Sequence, residues 1–450
     1  MESNNQTTVT TNACKLCTPL GACIVFRGID GGFPFLHGSQ GCATYIRRYL
    51  ISHFKEPFDI ASSSISESSA IFGGGANLQT GLDNVRRQYQ PQLIGIATTC
   101  LSETIGDDVV LYIKQYLAKD GGKNPPIIIH VATPSYTGTH MDGFHGAVTA
   151  TVDALAKGGP TRNQVNIFPG FVSPADLRHL KEILRDFQME FVMLPDYADT
   201  IDGPVWEEYQ RLPGGGTTLS QIQSMGCSKA SIELGRTLQP KNTAAGLLQT
   251  RFAIPDHHIG LPIGVNETDV LLNLLKNISG RDIPEKYRLE RGRLIDSYVD
   301  GHKYMFQKRA IVYGEEDLVI GLASFLAETG VIPVLCASGG ESGHLESTIK
   351  KVAPELAAEI TAREGVDFVE IAQIAAQFKP DIIIGNSKGY PLSRQLGIPL
   401  IRVGFPIHDR LGGQRILHLG YRGSQALYDQ IANALIAQKQ SRSPVGYSYM

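Results

Sequence analysis

The sequence has no apolar stretch approaching the roughly 18 residues needed to cross a membrane. Its start, Met1-Glu2-Ser3-Asn4-Asn5-Gln6-Thr7-Thr8, lacks the charged and apolar regions of a secretory leader. No Lys/Arg stripe is interleaved with aromatics and the net charge is −3, so nucleic acid is not an expected partner. The seven cysteines include one close pair, Cys14-Lys15-Leu16-Cys17, and no second pair. That is neither a disulfide framework nor the paired spacing of a structural zinc site. The triplet Gly73-Gly74-Gly75, ahead of a helix at Leu78, lacks both a P-loop lysine and the spacing of a dinucleotide fingerprint. It reads as close helix packing rather than an anion site at a helix N-terminus. These absences leave an ordinary protein of a reducing compartment, expected in the cytoplasm.

What is present is glycine, 48 of 450 residues against a usual share of about 7%. It gathers after apolar runs and before helical patterns, as the tight turns of an α/β protein require. Three successive alternations of strand and helix run along the chain. The first has strands at Phe33–Leu36, Leu93–Thr99 and Ile127–Ala132, with helices at Ala43–His53, Leu78–Tyr89 and Asp107–Tyr116. The second has strands at Val165–Phe168 and Glu190–Leu194 and helices at Pro174–Asp186 and Glu285–Ser297. In the third, strands are expected at Ala310–Tyr313, Ile332–Leu335, Phe368–Ile371, Ile382–Ile384 and Leu400–Val403. Helices at Asp317–Glu328 and Ala372–Phe378 lie between them, and Gln425–Gln438 forms a last amphipathic helix. The expected fold is three Rossmann-like α/β domains, parallel sheets flanked by helices, over 1–160, 161–305 and 306–450. Residues 1–13 are polar and expected to be disordered or laid across a partner.

Three cysteines and a serine stand where strands end or helices begin: Cys17, Cys42, Cys100 and Ser135. Cys42 follows the turn His37-Gly38-Ser39-Gln40-Gly41 and opens a helix; Cys100 ends one strand pattern and Ser135 another. In an open parallel sheet such points meet in the crevice at the carboxyl ends of the strands. Soft thiolates gathered there favour an iron–sulfur cluster or zinc. Their intervals, 25, 58 and 35 residues, are too long for a local motif, so only the tertiary fold can unite them. Three thiolates are one short of the usual four for a cluster. The fourth ligand would be Ser135, Cys14 or a residue of a second polypeptide. At Cys42 the positive end of the helix dipole favours an anionic group. The plain alternative is three buried structural cysteines. Cys23, Cys227 (on an expected helix) and Cys336 read as core residues.

With these residues in view the chain resembles the β-type subunits of nitrogenase component 1 and its assembly paralogue, the group of NifK, VnfK, AnfK and NifN. The matching segments are Cys17-Thr18-Pro19-Leu20-Gly21-Ala22, His37-Gly38-Ser39-Gln40-Gly41-Cys42 and His53-Phe54-Lys55-Glu56-Pro57. They continue through Thr98-Thr99-Cys100, Ile105-Gly106-Asp107-Asp108 and Thr133-Pro134-Ser135 to Ile384-Gly385-Asn386-Ser387 and Gly404-Phe405-Pro406 with Asp409-Arg410. The resemblance implies three Rossmann-like domains in an α2β2 heterotetramer with a homologous α-type subunit, served by an ATP-dependent Fe protein. It implies that Cys17, Cys42 and Cys100, with Ser135 as an additional ligand, hold the β-side of an iron–sulfur cluster shared with that partner. The cluster would be [4Fe-4S], or the [8Fe-7S] P-cluster type. The catalytic or precursor cofactor of the family lies in the α-type subunit, and the sequence shows no counterpart of its site; His408 is read as structural.

Within the group, Ala43-Thr44-Tyr45-Ile46-Arg47-Arg48, Asp409-Arg410-Leu411-Gly412-Gly413-Gln414-Arg415 and the tail Val445-Gly446-Tyr447-Ser448-Tyr449-Met450 resemble NifN, the scaffold subunit of iron-molybdenum cofactor biosynthesis. Only 16 residues precede Cys17, where molybdenum-type β subunits usually carry a long extension. The complete set of three cysteines and a serine keeps the alternative open: the β subunit of a catalytic nitrogenase or a nitrogenase-like reductase such as a methylthio-alkane reductase.

Overall fold

The computed structural model describes residues 14–119, 125–239 and 243–445. The readings made for residues 1–13, and for the tail beyond Val445, lie outside them. The described chain forms two compact units, one of residues 16–234 and 238–258, the other of 14–15, 235–237 and 259–445. Among the described residues no helix is long and apolar enough to cross a membrane.

The first unit holds two parallel sheets. In chain order its first part is α1 (Thr18–Arg27), β1 (Gly32–His37), α2 (Gln40–Phe54), β2 (Ala61–Ser62), α3 (Glu67–Phe72), α4 (Gly75–Tyr89), β3 (Leu93–Thr98), α5 (Cys100–Thr104), α6 (Val109–Lys119), β4 (Ile127–Val131) and α7 (His140–Leu155). The sheet order is β2-β1-β3-β4. β1 pairs with β3 along its whole length, whereas β2 reaches only Phe35 and Leu36. Pro34 therefore lies beside a stretch of β1 that has no neighbour on one flank, where a missing N–H is tolerated. The second sheet follows: β5 (Arg162–Phe168), α8 (Pro174–Asp186), β6 (Glu190–Met193), α9 (Leu219–Ser224), β7 (Ser228–Leu234), α10 (Ala244–Phe252) and β8 (Asp256–Ile259), in the order β6-β5-β7-β8. Ser173 opens α8 with a capping box, its hydroxyl accepting from the Asp176 N–H at 3.0 Å.

The second unit begins with α11 (Gly264–Ser279) and α12 (Glu285–Met305), then β9 (Arg309–Gly314), α13 (Glu316–Glu328), β10 (Ile332–Ser338), α14 (Leu345–Val352), β11 (Thr361–Arg363), α15 (Phe368–Phe378), β12 (Ile382–Gly385), α16 (Tyr390–Leu396), β13 (Leu400–Arg402) and α17 (Gly420–Ser441). Its sheet, β11-β10-β9-β12-β13, has the strand order of a doubly wound fold. The three alternations expected from the sequence are thus three parallel sheets flanked by helices.

Two local readings are corrected. Phe368–Ile371 is the first turn of α15 rather than a strand. The Asp367 carboxylate accepts from the N–H groups of Val369 and Glu370 at 2.8 and 2.9 Å, and this cap starts a helix where a short apolar run alone is ambiguous. Cys227 lies on a short 3-10 turn leading into β7, not on an α-helix.

A carboxylate joins two helices of the second unit. Glu328, at the end of α13, accepts from the N–H groups of Val265 and Asn266 at 2.7 and 2.8 Å, at the start of α11. Burial outweighs these donors and lifts its carboxyl from 4.5 to about 7. The native state therefore binds the proton more tightly than the unfolded chain, so the contribution is full below pH 4.5 and is lost as pH rises through 7. At roughly 1.4 kcal/mol per pH unit, the loss is on the order of 3 kcal/mol. Glu328→Gln is expected to flatten this part of the stability profile. Heat-unfolding midpoints of both proteins between pH 4.5 and 7 check it; parallel profiles would refute it.

Candidate metal-cluster site

The carboxyl ends of β1, β3 and β4 lie side by side, at His37, Thr98 and Val131. Each strand feeds a turn that carries one candidate ligand. After β1, Gly38 and Ser39 lead into α2, with Cys42 in its first turn. After β3, Thr99 caps α5, and Cys100 is its first residue. After β4 the chain reaches Ser135 before turning into α7. Cys17 joins them by a different route. It caps α1, which precedes β1 and connects to it through a four-residue turn, so its N-terminus lies at the same edge of the sheet.

Hydrogen bonds join these turns. The Thr18 N–H, next to Cys17, donates to the Ser135 hydroxyl at 3.1 Å. The Ser135 N–H donates to the Cys100 sulfur at 3.2 Å, and the Ser39 hydroxyl to the Cys42 sulfur at 3.5 Å. Tyr45, one helical turn beyond Cys42, meets Tyr49 in a tilted ring pair with centroids 4.7 Å apart. Burial, before the neighbouring Tyr49 and Cys17, pushes the Tyr45 hydroxyl well above its ordinary value.

Exposure separates the seven cysteines into two classes. Cys17, Cys42 and Cys100 are half-buried, whereas Cys14, Cys23, Cys227 and Cys336 are buried. Cys14, one of the alternatives for a fourth ligand, sits in the apolar core of the third sheet with Ile311, Tyr313 and Leu335. Burial pushes its thiol up to about 12, and does the same at Cys336. These two thiols stay protonated and make poor metal donors.

Behind the ligand turns lies a polar pair that the sequence did not reveal. The His37 ring nitrogen Nε2 is 2.9 Å from the Asp107 carboxylate, and both side chains are buried. Asp107 also accepts from the Gly74 N–H, at 3.0 and 3.1 Å to its two oxygens, and from the Tyr112 hydroxyl at 3.2 Å. The Gly74 N–H is thus taken up by the protein's own Asp107, and a methyl at Gly74 would lie 2.6 Å from Asp107 and one at Gly75 2.7 Å from the Tyr112 ring, so the triplet is a point of close packing. The motif Ile105-Gly106-Asp107-Asp108 was visible in the sequence; its contacts across 70 and 33 residues were not.

Among the described residues no three His, Cys, Asp or Glu side chains come close enough to hold a single metal ion. Thiolates that bind different irons of one cluster stand apart from one another, and a donor set of three sulfurs and a hydroxyl suits iron–sulfur chemistry. The residues present fit such a group.

Comparisons with known proteins give the family of the chain. A family model described as nitrogenase component 1 type oxidoreductase matches residues 17–436. The β chain of the nitrogenase molybdenum-iron protein of Clostridium pasteurianum is 35% identical over 94% of this chain and 93% of its own length. The vanadium-iron protein β chain of Trichormus variabilis is also 35% identical, over 95% and 94%. A chain of the solved structure titled "Nitrogenase Cp1 at pH 6.5" superposes with a TM-score of 0.94 at 32% identity, covering 100% of this chain and 98% of that one. The chain belongs to the nitrogenase component 1 type oxidoreductases, as a β-type subunit.

Proposed function

We propose that this subunit supplies Cys17, Cys42 and Cys100, with Ser135 beside them, to an iron–sulfur cluster shared with a homologous α-type subunit in an α2β2 complex. The observation that carries the reading is the division of the thiols. Three are half-buried on helix-opening turns at one edge of a sheet, while the other four are buried. A bound cluster of the [4Fe-4S] or P-cluster type would supply one-electron transfer between an ATP-dependent Fe protein and a cofactor in the partner. The chain's own groups hold the sulfurs in place. The Ser135 N–H and the Ser39 hydroxyl donate to the Cys100 and Cys42 sulfurs, which orients them. The open side of each half-buried thiol leaves room for ligands from a second polypeptide.

Within this role we assign the chain to the NifN-type scaffold on which a nitrogenase cofactor precursor matures. Support comes from the segments 43–48 and 409–415. A second reading, a catalytic β subunit, is favoured by the names of the relatives and by the complete donor set. The two separate on one measurement. The anaerobic complex is supplied with Fe protein, ATP and reductant, and assayed for reduction of protons, acetylene or a methylthio-alkane. The scaffold reading expects no sustained turnover, together with activation of cofactor-free nitrogenase; many turnovers per complex would establish the catalytic reading.

A further inference from the structure

We propose that the His37–Asp107 pair is the positioning element of the cluster site, fixing the turns that carry Cys42 and Cys100 through one buried residue, His37. This rests on the cluster reading above. His37 ends β1, five residues before Cys42, and is bound at both its backbone and its side chain. Its carbonyl accepts from the Ser102 hydroxyl at 2.7 Å, the Thr99 N–H at 3.1 Å and the Thr99 hydroxyl at 3.3 Å. Those three donors belong to the cap and first turn of α5, which carries Cys100. Its ring is held by the Asp107 carboxylate, 2.9 Å from Nε2.

The clamp is a strong one because the carboxylate has no solvent to retreat to. Burial holds the His37 ring below its ordinary value, and its Nε2 faces the Asp107 carboxylate at 2.9 Å. An isolated buried carboxylate costs several kcal/mol. Here the Gly74 N–H, the Tyr112 hydroxyl and the positive end of the 15-residue α4 offset that cost. Asp107 is therefore fixed to a rigid helix, and through His37 it fixes the end of β1.

No slack separates the two ligand turns. A methyl group at Gly38, the residue after His37, would lie 2.0 Å from the Thr99 hydroxyl oxygen. Any displacement of His37 thus moves the Gly38–Cys42 turn and the Thr99–Cys100 turn together. Asp107 needs no contact with the thiols to set their placement.

The test uses the complex purified anaerobically with its α-type partner, in the native form and with Asp107→Ala, Asp107→Asn and Asp83→Asn. Asp83 accepts from the Tyr116 hydroxyl at 3.0 Å on the same face of the domain and serves as the structural control. Iron retention against a chelator, the electron paramagnetic resonance of the reduced cluster, its midpoint potential and the melting temperature are read on each. Asp107→Ala is expected to retain iron about ten-fold less well, as loss of an outer-sphere partner does, with an altered spectrum and potential. Asp107→Asn, which still accepts from one donor, should fall between Asp107→Ala and the native complex, and decides the matter by the same criteria if Asp107→Ala does not accumulate. Asp83→Asn should lower only the melting temperature. Native spectrum, potential and iron retention in the Asp107 variants, with only a lower melting temperature, would make the pair a fold element and overturn the proposal. If the native complex holds no iron that depends on Cys42, the cluster reading itself falls, and the positioning role with it.

Discussion

Replacing Cys42 by Ala is expected to remove or convert the iron–sulfur cluster of the purified complex, while replacing Cys336 by Ala leaves it intact. The two residues carry the same atom in opposite settings. Cys42 lies in the first turn of a 15-residue helix, half-buried, with a hydroxyl donor on its sulfur. A methyl group there can neither coordinate iron nor carry charge, so the loss is chemical and no repacking restores it. Cys336 is fully buried on an interior strand, its thiol held protonated by burial and donating weakly to the Pro333 carbonyl at 3.9 Å, and its role is packing. Its truncation should cost about 1–2 kcal/mol of stability. Iron per complex and the visible spectrum, recorded on both variants beside the native protein, give the answer. Unchanged iron in Cys42→Ala would sink the ligand assignment. Loss of iron in Cys336→Ala would mean that the wrong thiols had been chosen.

The same pair shows why part of this site was legible in the sequence. A ligand that follows a strand is marked by the strand, because an apolar run of six residues ends at a definite position. Cys42, Cys100 and Ser135 could be placed at one sheet edge on that basis. Resemblance to a family then added the roles, which spacing alone left open between iron and zinc. Helices that are buried on every side were harder to read. All ten residues of α1 are buried, so it shows no amphipathic period and registers only as an apolar run around Cys23. The short run Phe368–Ile371 reads as a strand in the sequence because the deciding signal is the Asp367 cap rather than the apolar residues themselves. Cys14 and Cys17 have the spacing of a metal-binding pair, yet the chain passes from one compact unit to the other between them. Asp107 was the least legible of all. Its partners His37 and Gly74 are brought to it by the fold alone, and a carboxylate in a Gly-Asp-Asp turn otherwise looks like a solvated loop residue.

Gly143→Ala is expected to weaken the fold and the cluster site together, because α1 and α7 touch through their backbones. A methyl at Gly143 would lie 1.8 Å from the Thr18 carbonyl oxygen, and one at Gly21 would lie 1.8 Å from that of His140. Neither obstacle is a side chain that can rotate away. Ordinary contact would require the helices to part by roughly 1.5 Å. Overpacking of this kind usually costs about 1–3 kcal/mol, and backbone on both sides puts this case at the upper end. The displacement also falls at a chemically important point. The start of α1 is strapped to this region by the His140 N–H on the Leu16 carbonyl at 3.0 Å and by the Thr18 N–H on the Ser135 hydroxyl at 3.1 Å. Parting the helices would pull Cys17 away from Ser135 and Cys100, so iron content should fall along with the melting temperature. Gly146→Ala, one turn further along α7, is the matched control. Its added methyl would meet only the Val131 side chain, at 3.4 Å, and a gain in helix propensity of up to about 1 kcal/mol works in its favour. A Gly143→Ala complex that melts at the native temperature with native iron would show that α1 and α7 can separate without cost, and that Cys17 is held by something other than their crossing.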